Sequence, residues 1–203
     1  INITGYDANF EEMELYIGGA LVATFDTSGS EAYVWDTSTY NDHTYEINLV
    51  ALDKAGNSAT AKITVTVDNT TPVAEIRNPI KGVYVRGVCN VTVYGHDLNL
   101  DRMRLYIDEN LVETWTVSGT HVYAWNTTEF VDSFYTIKLT VGDKAGNSVE
   151  KTVMVRVDNT PPLIGIPTWE PLEPSVNEPV NVSVIVAESL SGSGVKNVTL
   201  WFR

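Results

Sequence analysis

The chain has 203 residues, with 26 Asp and Glu against 13 Lys and Arg, for a formal net charge of −13. That charge repels phosphate backbones and excludes a nucleic-acid partner, while favouring solubility and the uptake of cations. With 43% apolar residues the composition predicts packed cores rather than disorder, and no apolar run approaches the ~18 residues that cross a bilayer, which excludes a membrane span within this sequence.

Taken in order, residues 7–72 superimpose on 97–162 without an insertion and are identical at 30 of 66 positions, so the chain is a tandem array. The first module, residues 1–69, begins at a position aligned with Val91 in mid-strand, and is expected to lack its first strand. The second, residues 70–159, is expected to be whole. Its period-two alternation places strands at Val73 to Arg77, Val88 to Tyr94, Arg102 to Asp108, Leu111 to Thr116, His121 to Asn126, Ser133 to Val141 and Val149 to Val157. The third, residues 160–203, is the first part of another copy. Asn181-Val182-Ser183-Val184 repeats Asn90-Val91-Thr92-Val93, and Val198-x-Leu200-Trp201-Phe202 repeats the stretch from Met103 to Ile107. Between them lies a longer loop containing Ser189-Leu190-Ser191-Gly192-Ser193-Gly194. The sequence therefore reads as a window on a longer chain.

Seven short strands separated by turn residues, with no helical spacing, predict an all-β protein of tandem antiparallel immunoglobulin-like or fibronectin-III-like β-sandwiches. Alternation points Tyr135, Ile137, Leu139 and Val141 inward, opposite Met103, Leu105 and Ile107, with Trp125, repeated as Trp35, between the sheets. Tyr45 and Tyr135 open the sixth strand, where such sandwiches place a tyrosine bonded to backbone. Cys89, the single cysteine, has no partner for an internal disulfide and reads as an inert packing thiol.

Each module closes on one cassette: Asp53-Lys54-Ala55-Gly56-Asn57 and Asp143-Lys144-Ala145-Gly146-Asn147, then a strand, then Val-Asp-Asn-Thr and proline at 67–72 and 157–162. The glycine supplies a positive φ and the asparagine side chain closes the turn, while the prolines end the strand and stiffen the joint. This cassette resembles that of the bacterial and archaeal Ig-like repeats with Asp-x-Ala-Gly-Asn and Val-Asp-Asn-Thr-x-Pro. The resemblance covers the whole chain and implies a place in surface-layer proteins, adhesins or the stalks of large secreted proteins.

Nothing catalytic recurs between the copies. His43 aligns with Ser133, His96 with Tyr6 and His121 with Glu31, and none stands beside a nucleophile turn or in a zinc spacing. The expected function is a non-catalytic extracellular, cell-surface array: a spacer or a building block of a layer or filament, whose partners are neighbouring modules of the same chain and other copies in self-assembly. The alternative is an accessory spacer or carbohydrate-binding segment of a large secreted hydrolase, for which Trp169 is the one tryptophan without a repeat partner. Asn2, Asn69, Asn90, Asn126, Asn181 and Asn197 stand in Asn-x-Ser/Thr sequons and are candidates for N-glycosylation.

A Ca²⁺ ion is expected at each joint. In such a sandwich the loop after the second strand and the loop after the sixth lie at the end where the chain enters. For the second module this gathers Asp68 and Asn69 with Asp97, Asp143 and Asn147; at the next joint Asp158 and Asn159 would meet Glu188. Carboxylates and amide carbonyls are the hard oxygen ligands calcium accepts, and like charges gathered without a cation repel. The same residues also suit a simpler role as caps of their own turns.

Overall fold

The structure, a computed structural model, describes residues 1–188, 192–199 and 201. Ser189, Leu190 and Ser191 of the long loop, and Leu200 and Phe202 of the third-copy motif, lie outside the described residues. The chain divides into two compact units, Ile1–Thr71 with Ala145–Asn147, and Pro72–Lys144 with Ser148–Arg203.

In the first unit, strands β1 (Asn2–Gly5) and β4 (Gly29–Ala32) pair as a ribbon. Strands β2 (Phe10–Ile17), β3 (Ala20–Phe25), β5 (His43–Asp53) and β6 (Ser58–Val67) form an antiparallel sheet in the order β3-β2-β5-β6. Met13, Leu15 and Ile17 alternate inward along β2 and are buried with Ile3 and Ile47.

The second unit repeats this plan with more strands. One sheet is β12 (Gly119–Asn126), β9 (Val88–His96) and β7 (Val73–Asn78). The other runs β11 (Asn110–Trp115), β10 (Leu100–Ile107), β13 (Phe134–Asp143), β14 (Ser148–Val157) and β8 (Tyr84–Val85). The strand β8 was not expected from the sequence. It is a two-residue stretch with no alternation to read, and it joins the sheet edge parallel to β14.

Between the sheets the expected core is in place: Met103, Leu105, Ile137, Leu139 and Val141 face Val91 and Val93, all buried. Trp125 is 1% exposed, its indole packed edge-on against Phe130 and Tyr135 at 5.3 and 5.7 Å between centroids. Tyr135 donates its hydroxyl to the Val131 carbonyl at 3.0 Å, and Tyr45 does the same to Asn41 at 3.1 Å, so both copies have the tyrosine corner. The β10–β11 hairpin turns through Asp108 and Glu109 at positive φ, where the first copy has Gly18 and Gly19. Side chains help hold this non-glycine turn: Thr136 N–H donates to Asp108 Oδ1 at 2.7 Å, Asn110 Nδ2 donates to the Asp108 carbonyl at 3.1 Å, and Lys138 pairs with Glu109.

The rest of the second unit consists of two short ribbons, β15 (Leu163–Ile164) with β18 (Val186–Ala187) and β16 (Thr168–Glu170) with β17 (Asn181–Ser183). No helix of the described residues is long and apolar enough to cross a membrane.

Candidate functional site

Each module ends in a clasp that holds the departing chain to its own body. In the second unit Trp125-Asn126-Thr127 leads into a 3₁₀ turn at Thr127–Glu129, capped by Asn126, whose side chain accepts from Thr128. Thr127 is fully buried, and its single hydroxyl proton is shared between the Gly87 carbonyl at 2.8 Å and Asn159 Oδ1 at 3.1 Å. Asn159 also takes the Gly87 N–H at 3.0 Å on Oδ1 and donates Nδ2 to the Thr127 carbonyl at 2.9 Å. Asp132 completes the clasp, accepting from Asn159 N–H at 2.7 Å and from the Thr160 hydroxyl at 2.5 Å. These two donors hold its carboxyl below the ordinary value.

The first unit repeats the arrangement. Asn69 N–H donates to Asp42 Oδ1 at 2.7 Å, and its Nδ2 reaches the carbonyls of Thr37 and Tyr40 at 3.0 and 3.1 Å. The Thr70 hydroxyl, then the Asn69 N–H, lower the Asp42 carboxyl. Asp42 with Asp132 and Thr37 with Thr127 were legible as repeated residues in loops, yet sequence reasoning did not single them out.

The expected metal ligands divide by what their oxygens already do. Asn159 places its amide oxygen under two donors inside its own module, and Asn69 spends its amide nitrogen on two carbonyls. The asparagines thus act as clasp residues. Asp68, half-buried after β6, accepts from Thr70 N–H at 3.1 Å on Oδ1, and its carbonyl accepts from Asn147 Nδ2 at 2.9 Å. Asn57 Nδ2 bonds the carboxylate of Asp53 at 2.8 Å, the closure expected of the turn, and Asn147 Nδ2 bonds the Asp68 carbonyl. Gly56 and Gly146 both have the positive φ the turn needs, at 84° and 102°.

Within the second unit Asp97 and Asp143 are buried at 9% and 6% exposure, with carboxylate oxygens within 4.8 Å of each other. Asp97 Oδ1 accepts from Asn99 N–H at 2.7 Å, and Asp143 ends β13 opposite Leu100. Further along, a cleft of about 340 Å³ is lined by Asp158, Asn159 and Glu188 together with Ser193, Arg86 and Lys196.

All six sequon asparagines are exposed. Asn69 and Asn126, however, use their side-chain nitrogens internally, Asn126 on Glu129 at 2.9 Å, which leaves Asn2, Asn90, Asn181 and Asn197 with the accessible amides. Of the other residues considered, Cys89 packs against the core, and burial pushes its thiol pKa up, which disfavours the reactive thiolate. His121 lies flat on Trp115 at 4.9 Å between centroids with Nε2 2.8 Å from the Val117 carbonyl, and His43 packs edge-on against Tyr45. Trp169 on β16 is half exposed.

Two sheets packed face to face, with a tyrosine corner and an edge strand parallel to the last strand, define an immunoglobulin-like β-sandwich protein. The chain belongs to the bacterial Ig-like domain (group 3) family, whose model matches residues 29–104 and 119–201, more than half of the chain. Both matches begin at the same position of the repeat, Gly29 and Gly119. No curated protein matches the chain.

Among solved structures, the fibronectin(III)-like modules of Clostridium thermocellum CbhA are similar at 16% identity and a TM-score of 0.49, over 78% of this chain and 85% of that one. A tetra-tandem repeat from the extending region of a large adhesion protein matches at 18% identity and a TM-score of 0.40, over 88% of this chain and 55% of that one. The endo-β-1,4-mannanase of Thermotoga petrophila matches at 15% and 0.40, over 46% of this chain and 21% of that one. The chain thus spans less than two thirds of the adhesion-protein and mannanase chains.

Proposed function

We propose that this chain is part of a non-catalytic extracellular array, a spacer or building block of a surface layer, stalk or filament, in which each Ig-like module hands the polypeptide to the next in a fixed direction. The observation that carries this reading is the doubled clasp. Asp42 with Asn69 and Asp132 with Asn159 make the same bonds in both copies, so these repeated polar residues are spent on gripping the exit of the chain. A module that grips its own exit suits a part whose work is to hold distance and direction.

The test is mild proteolysis of intact cells followed by mass spectrometry of the released peptides. Peptides of this chain should be shed while cytosolic markers are retained, and glycan mass should appear among Asn2, Asn90, Asn181 and Asn197. Recovery of the chain in the cytosolic fraction alone would overturn the proposal. A second reading, a carbohydrate-binding accessory segment, rests on the half-exposed indole of Trp169, an aromatic face of the kind sugars stack on. Retardation on a polysaccharide gel that Trp169→Ala abolishes would favour it.

A further inference from the structure

The carboxylate of Asp158 stands out in the second unit because half of it is unaccounted for. The residue is 7% exposed at the end of β14; its Oδ2 accepts the Ser193 N–H at 2.5 Å, and its Oδ1 is buried with no hydrogen-bond partner among the described residues. Glu188, which follows β18 and lines the same cleft, has its Oε2 in the same condition. A buried oxygen without a donor is unfavourable, and two such oxygens of like charge on one cleft repel as well. Arg86 and Lys196 reach the cleft from exposed positions, yet neither forms an ion pair with Asp158 or Glu188 among the described residues. Space for the glutamate is kept by Gly192, where a Cβ would fall 2.5 Å from Glu188 Cγ. Any side chain there would displace the carboxylate.

We infer that a calcium ion binds in this cleft, held by Asp158 Oδ1 and the Glu188 carboxylate, with backbone carbonyls and water completing its shell. Water alone would give each oxygen a donor but leave the charge; a divalent cation removes both costs. Two carboxylates with open access on one side are the hard, loosely constrained oxygen set that calcium accepts and that magnesium, with its strict octahedron, accepts poorly. The amide of Asn159 takes no part, since its oxygen is occupied by Gly87 and Thr127. A bound ion fastens the residue that leaves one sandwich to the loop after β18, and so fixes the start of the third module. This holds whether the array is a spacer or carries a ligand.

The experiment is calcium titration of the whole chain by calorimetry after chelation, with parallel melting curves, for the parent, Asp158→Asn and Glu188→Gln. Each substitution should remove one bound equivalent, or weaken it by at least ~10-fold, the effect of disturbing even an outer-shell partner. Melting should show an inversion. Relative to the parent, each variant should melt at the same or a higher temperature in chelator, because a repelling charge is gone, and at a lower temperature in saturating calcium. Glu188→Gln is the safer variant for folding, since Glu188 is only half-buried. If both variants bind as many ions as the parent, or lose the same melting temperature with and without calcium, Asp158 serves only to cap Ser193 and the inference is wrong.

Discussion

Trp35 and Trp125 are one residue of the repeat in two surroundings. Trp125, on β12 of the three-stranded sheet β12-β9-β7, is 1% exposed, while Trp35, three residues past β4 of the two-stranded ribbon β1-β4, is half-buried. Their immediate partners match closely: Trp35 packs edge-on against Tyr40 and Tyr45 at 5.2 and 5.8 Å, as Trp125 does against Phe130 and Tyr135. Even the indole N–H is buried without an acceptor among the described residues in both. The repeated sequence therefore builds the same local cage in both copies, and the two indoles differ in how much of that cage is closed to water.

The largest effect should come from breaking this pair. Trp125→Ala should cost ~3–5 kcal/mol, the range for emptying a large aromatic from a closed core. Trp35→Ala should cost less, on the order of 1.5–3 kcal/mol, since part of its surface is already wet. Urea unfolding followed by circular dichroism compares them, and equal losses would show that the cage alone decides.

An intermediate effect tests the floor of each core. A Cβ on Gly95 would fall 2.7 Å from Met103 Cε and 2.8 Å from its Sδ, and one on Gly5 would fall 2.7 Å from Met13 Sδ. Overpacking a filled core costs ~1–3 kcal/mol. Gly95→Ala should fall in that range and Gly5→Ala toward its lower end, because a Cβ at Gly5 meets one methionine atom closer than 3 Å, Met13 Sδ, where one at Gly95 meets two. Adding Met103→Val to Gly95→Ala should recover part of the loss, which a double-mutant cycle measures as favourable coupling. Strict additivity would place the strain elsewhere.

The smallest effect is one of pH. The same 3₁₀ turn is capped by Asp36 in the first copy and by Asn126 in the second. The Ser38 hydroxyl, then its N–H, hold the Asp36 carboxyl below the ordinary value of an aspartate. A depressed folded-state pKa means that this cap contributes fully above the ordinary carboxylate value and is lost as the pH falls through the lower, folded value. Asp36→Asn should therefore flatten the acid limb of stability against pH, and Asn126→Asp should steepen it. Chemical denaturation midpoints taken between neutral and strongly acidic pH read out both, and an unchanged limb in the two variants would deny the cap a titrating role.

The alternation of Met103, Leu105 and Ile107 against Ile137, Leu139 and Val141 was legible because a two-residue period has one physical meaning in a sandwich. The tyrosine corners were legible for the same reason: position along a strand predicts the partner. Edge strand β8 was not, since two residues carry no period. The clasp was half legible. Asp42 and Asp132 repeat, but nothing in the spacing says that a loop carboxylate will reach a backbone N–H some 27 residues on, because that proximity is made by the β5–β6 and β13–β14 pairings. The sequence assigned Asn159 to a cation for lack of a view of Thr127 and Gly87, which claim its amide first.

The clasp also determines how the molecule bears tension. A pull at Pro161 would ordinarily open β14 from β13 one rung at a time, starting at the bond from Val157 N–H to the Ser133 carbonyl. Asn159 and Thr160 lie outside that rung and are tied to Asp132, Thr127 and Gly87, so the load passes sideways into the loop that seats Phe130 on Trp125 before any rung of the ladder is strained. The module meets stretching with several bonds in parallel instead of single bonds in series, and its first yielding point is the seat of its largest core residue.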